Sequence, residues 1–350
     1  MRDVKYLAAY LVPASAAFGL YEQGLWSWLT LALVFGILPV VELFSPQSTE
    51  NVPPLAEEKR SKRLFFDLLL YLNAPIVYAL TLWYLWLVAN GALSGAEWLG
   101  LTISVGIVAG ANGINVAHEL GHRTSKFEQW LAQIMLLPSL YQHFFVEHNR
   151  GHHKNVATDA DPASARRGES LYAFWFRSVV GGWRSGWAIE RERLLKKGAS
   201  AGSWQNALLR YAVFQSAWLA AIAMLLGGKA LVGALGVAVV SFLLLETVNY
   251  IEHYGLRRRI LANGYPEPVL PRHSWNSNHA LGRIFLYELT RHSDHHYKAT
   301  RKYQILRHMD DSPQLPFGYP TSIVLALVPP VWFWMMHKRL PGALQEAPSF

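Results

Sequence analysis

The sequence has no cysteine and little charge: Asp, Glu, Lys and Arg make up 16% of its 350 residues, against about 25% in an ordinary soluble domain. The first absence excludes disulfide frameworks, thiolate-held zinc or haem, iron–sulfur clusters and cysteine nucleophiles. The second excludes a disordered, heavily solvated chain. Apolar residues reach 52%, and 14 Trp, 16 Tyr and 16 Phe fit aromatic belts at a lipid–water interface. A net charge of +8 suits anionic headgroups or an acidic protein partner. Nucleic acid is not expected as a partner, because the basic residues are scattered around apolar segments and no recognition motif accompanies them.

A bilayer core about 30 Å thick needs roughly 20 mainly apolar residues as helix. Six stretches qualify, approximately 4–22, 25–44, 64–89, 98–117, 205–226 and 230–252. They pair into three hairpins with tips at Gln23-Gly24, Asn90-Gly91 and Gly227-Gly228-Lys229. Lys229 is the one Lys or Arg at those tips, whereas Lys59, Arg60, Lys62 and Arg63 fall on the other side, so the positive-inside rule places the N-terminus and the segments 123–204 and 254–350 in the cytoplasm. The first stretch carries no convincing cleavage site and is not expected to be a signal peptide. Residues 130–146 hold Gln133, Pro138, Gln142 and His143, and residues 319–336 hold Pro320, Pro329 and Pro330; both read as interfacial segments. The expected fold is all-α: a single polytopic membrane domain over 1–350 with about six transmembrane helices and a cytoplasmic, histidine-rich helical catalytic region.

Nine of the 14 histidines fall into four groups: His118/His122, His148/His152/His153, His253, and His292/His295/His296. Residues three or four apart share a helix face, so His118 with His122, His148 with His152, and His292 with His296 can each offer two imidazoles to one side. Sequence neighbours diverge by about 100°. His152 and His153, or His295 and His296, therefore look in different directions, which suits two metal ions better than one. Imidazole suits Fe, Zn, Cu or Ni. The carboxylates beside these groups, Glu119, Glu147, Glu252 and Asp294, are candidates to orient the imidazoles. His143, His273, His279, His308 and His337 are isolated or irregularly spaced and are read as structural.

The segments HELGHR at 118–123, EHNRGHH at 147–153, NYIEHYGL at 249–256 and RHSDHH at 291–296 resemble the histidine boxes of the integral-membrane alkane 1-monooxygenases, the AlkB-type alkane hydroxylases of the membrane fatty-acid desaturase/hydroxylase-like superfamily. FFVEHNRGHHKNVATDADPASARRGES at 144–170 and HSWNSNH at 273–279 are similar to segments of that family too. The resemblance runs from the first apolar stretch to about Tyr319, with departures at Thr290 and at Tyr297-Lys298. It implies two non-haem irons held by the nine histidines, with His253 the ninth, and O2-dependent hydroxylation of the terminal methyl group of medium or long n-alkanes. It also implies electrons from a rubredoxin, separate or fused, itself reduced by an NAD(P)H-dependent rubredoxin reductase, and a place in the bacterial inner membrane.

Other enzyme classes are weaker matches. HELGH fits the H-E-x-x-H zinc-protease pattern, but intramembrane proteases of that kind add an Asp before Gly, and no Asp here precedes Gly. Desaturases commonly have four residues between the histidines of the first box, where this chain has three. A metal transporter would place ligands along the bilayer midplane rather than at span ends. Arg166, Arg167, Lys196 and Lys197 are candidates to steer an acidic redox protein. Ala111 and Ile114, seven and four residues before His118, are candidates to line a substrate tunnel.

Overall fold

The computed structural model describes residues 2–342; the last eight residues of the expected cytoplasmic segment 254–350 lie outside it. The described residues are helical apart from loops and three isolated β-bridges. Four helices are long and apolar enough to cross a membrane: Gly24–Leu43, Leu64–Asn90, Gly95–Gly121 and Ala207–His253. The last has 47 residues and contains both expected spans 205–226 and 230–252. It breaks at Gly227, whose φ of 82° and ψ of 178° suit a residue without Cβ.

The expected span 4–22 is not among these four. It is divided between a 3-10 helix, Arg2–Tyr10, and an α-helix of 12 residues, Leu11–Glu22. The 3-10 part is tied to the polar side by Asp3, which pairs with Arg60 at 2.6 Å and with Arg63, and by the Tyr6 hydroxyl on Glu288. Residues 130–146 form no continuous helix: Lys126–Met135 ends in turns before His143–Glu147 begins. Residues 319–337 are two short helices, Tyr319–Ala326 and Pro329–His337, separated at Val328, because the two prolines cannot continue the first helix's hydrogen bonds.

Two local features set the level of the histidines. Ser94 opens Gly95–Gly121 with a capping box, accepting from the Glu97 amide at 3.3 Å while Glu97 accepts from the Ser94 amide at 2.7 Å. Further along, a Cβ on Gly106 would lie 2.5 Å from Val240 Cβ, and one on Gly110 would lie 3.2 Å from the Ser241 carbonyl. Small residues thus let the backbone of 228–253 approach closely. Contacts of rising number against rising number mean that the two stretches run parallel. His118 and His253, nearly equidistant from that contact, therefore reach the same end of the bundle.

Candidate metal centre

Each histidine group is carried by a helix end or a short helix. His118 lies in the last turns of Gly95–Gly121 and His122 caps it. His148 and His152 bound a π-helical turn that continues into His153–Asn155. His253 ends the long helix, and the last three lie on His292–Tyr297.

The nine imidazoles converge as two sets. One holds His118, His122, His148, His153 and His295; the other holds His152, His253, His292 and His296; in each, one nitrogen per ring lies within 4.8 Å of the others. In the smaller set, His292 Nε2 is 2.9 Å from His296 Nε2 and 3.2 Å from His253 Nε2, and His152 Nε2 is 3.2 Å from His296 Nε2. The sets abut where His153 stacks on His296 with centroids 4.4 Å apart. One part of the sequence reading is corrected: His148 does not share a set with His152 but with His153, five residues on. A π turn has hydrogen bonds from i to i+5, so it brings that pair to one side. His295 and His296 diverge as adjacent helical residues must.

A metal pair fits this donor set. His118 Nε2, His122 Nε2 and both nitrogens of His295 are buried without a hydrogen-bond partner, which is costly for a polar atom unless something else satisfies it. Burial, reinforced by neighbouring imidazoles, pushes His148, His153, His292, His295 and His296 well below the ordinary imidazole range. His122 falls to about 3 for the same reasons. Neutral imidazole is the form that binds metal. At His152 burial also opposes charge, but the Asp161 carboxylate outweighs it and raises the proton affinity.

Asp161 was not singled out from the sequence, although it lies in the quoted segment 144–170. Its Oδ2 is 2.9 Å from His152 Nδ1, and it accepts from the Ser164 hydroxyl at 2.5 Å and the Ala163 amide at 3.1 Å. This leaves His152 Nε2 to face the other rings. Of the four carboxylates expected to orient imidazoles, Glu252 alone has a histidine among its recorded polar contacts, with Oε2 3.2 Å from His292 Nε2 and Oε1 accepting from Tyr319 at 2.7 Å. Glu119 is held by Arg123 and the Tyr303 amide, Glu147 accepts from Ser185, and Asp294 pairs with Arg301 and Arg307. The bond to Arg123 also removes Glu119 from the role of a protease base.

A cavity leads to the rings, with about 980 Å³ of empty space when its open mouth is included. Val34, Phe35, Leu244, Leu245, Phe285 and Ile323 line its apolar length, and its inner end meets His118 and His148 of one set and His292 of the other. Ala111 lines it; Ile114 does not and is fully buried among Leu120, Leu136 and their neighbours. The π turn Ala109–Ile114 and the position of Asn115 explain the difference, since Asn115 takes the cavity side of the helix three residues before His118. The five remaining histidines lie outside both sets: His273 pairs with Glu267, His279 with Gln47 and Ser277, His308 with Asn278, and His337 with Tyr254. His143 Nε2 is buried without a partner.

Residues 95–325 match the model of the fatty acid desaturase family. Alkane 1-monooxygenase 2 of Pseudomonas aeruginosa is 40% identical over 324 residues, covering 90% of this chain and 84% of that protein. The chain belongs to the alkane 1-monooxygenase family. Alkane 1-monooxygenase 1 of Alcanivorax borkumensis is 38% identical over 340 residues, 96% of this chain and 84% of its own length. A more distant relative is the hydroxylase component of the Pseudomonas putida xylene/toluene monooxygenase, 30% identical over 345 residues, 97% of this chain and 89% of its own.

Proposed function

We propose that this monooxygenase hydroxylates the terminal methyl group of n-alkanes, RH + O2 + 2e⁻ + 2H⁺ giving ROH + H2O, at two non-haem irons held by His118, His122, His148, His153 and His295 on one side and His152, His253, His292 and His296 on the other. The observation that carries this reading is the apolar cavity ending on rings of both sets. When bound, the irons supply the activation of O2 that no side chain can provide against an unactivated C–H bond. The chain's own part is to hold neutral imidazoles in place, with Asp161 fixing the His152 ring. Leu244, Leu245 and Phe285 exclude water and admit a hydrocarbon along its length. Burial contributes about 0.8 kcal/mol per CH2 from water, but an alkane arriving from lipid gains far less, so cavity shape selects the chain end.

The resemblance to the alkane hydroxylases implies a rubredoxin as the electron source, and because this sequence has no cysteine that centre belongs to a separate or fused polypeptide. Its reduction by an NAD(P)H-dependent reductase belongs to the same reading. Basic residues crowd a recess beside the second set: Lys5, Lys59, Arg60, Arg63, Arg283 and Arg291 line it with Asp3, Glu50 and Glu288. Arg291 directly precedes His292. This recess is a further candidate surface for an acidic donor beside Arg166, Arg167, Lys196 and Lys197. The protein sits in the bacterial inner membrane with this face in the cytoplasm, as the skew of basic residues supports.

Iron quantification on purified protein, with product analysis on octane plus rubredoxin and its reductase, tests the proposal. About two irons per chain and 1-octanol are expected. Iron-loaded protein that yields no alkanol would overturn it.

A further inference from the structure

Hydroxylation takes up two protons per turnover, yet the rings are buried and the substrate cavity is apolar. On another side of the metal centre three cavities adjoin. The outermost is a groove of about 960 Å³, including its open mouth, with Trp183 and Ala212 exposed at the rim and Tyr141 and His143 among its lining residues. The same two residues line a much smaller space together with Ser178 and Glu246. Phe144, His148 and Asn249 line both this space and the apolar cavity.

Two side chains here have no part in holding metal. Glu246 lies inside Ala207–His253, is 3% exposed, and accepts from the Tyr141 hydroxyl at 2.7 Å, the Ser178 hydroxyl and the Asn249 amide at 3.3 Å. None of these three partners is a cation. A carboxyl group within a membrane helix is costly, and such residues mark ion or proton pathways. His143 is 7% exposed, and its Nε2 has no hydrogen-bond partner among the described residues. Its ring lies against Tyr141, centroids 4.3 Å apart, and Gly182 keeps the space beside Nε2 open.

We infer that His143, Tyr141 and Glu246 form the proton entry to the metal centre. This rests on the hydroxylase reading. A proton arrives at His143 Nε2 from the groove, is carried by a water in the space that both residues line to the Tyr141 hydroxyl, and passes along the Tyr141–Glu246 hydrogen bond to the carboxylate. It leaves through this smaller space, where about 10 Å³ is open to a water molecule's centre, enough for about one water between polar groups, toward His148 and Asn249. Two protons move inward per turnover and end in the water produced; O2 is reduced, the C–H bond is oxidised, and a one-electron donor protein supplies both electrons. His143, Tyr141 and Glu246 return unchanged. Protons and hydrocarbon thus start from different openings and converge only where Phe144, His148 and Asn249 line both spaces.

Glu246→Gln keeps the shape and the acceptor but cannot carry a proton; His143→Gly opens the groove to a small base. With iron content and melting temperature as in the parent protein, hydroxylation in Glu246→Gln should fall about 100-fold, the lower end of general acid–base effects. The solvent deuterium isotope effect should rise. A pH-indicator dye in weakly buffered medium reads proton uptake when the reduced protein meets O2; uptake should slow by the same factor. Added imidazole should restore both rates in His143→Gly. Should Glu246→Gln fail to fold, Tyr141→Phe, which removes one hydroxyl, takes its place with the same expectations. Full iron with unchanged proton uptake in these variants overturns the entry path, as does a slow His143→Gly protein that imidazole does not accelerate. Parent protein that takes up protons but makes no alkanol would instead count against the hydroxylase reading and leave the path standing.

Discussion

His148 and His153 are five residues apart and turn their Nε2 atoms to within 3.0 Å of each other. Only the widened turn between them allows this, since an α-helical course would leave His153 roughly 140° away from His148. Gly151 sits inside that turn, and a Cβ there would meet Glu147 Oε1 at 2.6 Å and Ile189 Cδ1 at 3.0 Å. Gly151→Ala should therefore displace Glu147 from Ser185, cost about 1–3 kcal/mol by overpacking, and lower iron content. Metal analysis and thermal melting measure both effects; full loading at the parent melting temperature would show that the turn absorbs the methyl group.

The two sets differ in how many donors they can lose. His253→Ala removes one of four nitrogens from the smaller set and should lower iron from about two toward one per chain, while His308→Ala should leave it unchanged. Asp161→Asn keeps all nine rings but weakens the hold on His152, and loss of such a partner typically costs about 10–100-fold in metal affinity. Chelator competition compares the three proteins. Equal iron retention in Asp161→Asn and the parent would remove Asp161 from any orienting role.

Ala111 and Ile114 should respond differently to enlargement. Ala111→Phe projects into the cavity and should reduce turnover of long alkanes more than short ones. Ile114→Trp meets a closed core around Leu120 and Leu136, so it should destabilise the protein by about 1–3 kcal/mol without a selective change in chain length. Product profiles across an alkane series, with melting curves, separate the two. A shortened profile in a stable Ile114→Trp protein would contradict the cavity wall described above.

Stability should fall in acid through a carboxylate that is not one of the clustered histidines' neighbours in sequence, Glu267. Burial raises the Glu267 carboxyl, but the Arg259 amide, Arg272, His273 and the Arg259 side chain outweigh it and hold the group at about 2. A depressed carboxyl stabilises the fold above its ordinary value of about 4.3 and loses that contribution as pH falls toward about 2. Glu267→Gln should be less stable than the parent at pH 7, with the gap closing in acid. Parallel melting curves at every pH would refute the assignment.

The apolar runs and the four histidine groups were legible because helix length and side-chain period are local properties. So was the divergence of His295 from His296. The pairing of His148 with His153 was not, because a π turn is selected by tertiary packing and leaves no period in the sequence. Asp161 was hidden for a related reason: a loop brings it to His152, and spacing along the chain carries no trace of that contact. Glu119 and Asp294 stand beside ligands in sequence yet serve arginines, since adjacency on a helix turns neighbouring side chains apart. Ile114 illustrates the same limit, as one extra residue in a turn moved it from the cavity wall into the core.

The two sets of donors also impose an order on maturation. The larger needs His295 and the smaller needs His292 and His296, so neither is complete until the last histidine segment has been synthesised. His152 and His296 are 144 residues apart, which at about 5–20 residues per second separates their emergence by roughly 7–30 s. During that interval the earlier imidazoles can offer only incomplete coordination, so any metal that needs a complete set must be acquired after residue 296 has left the ribosome.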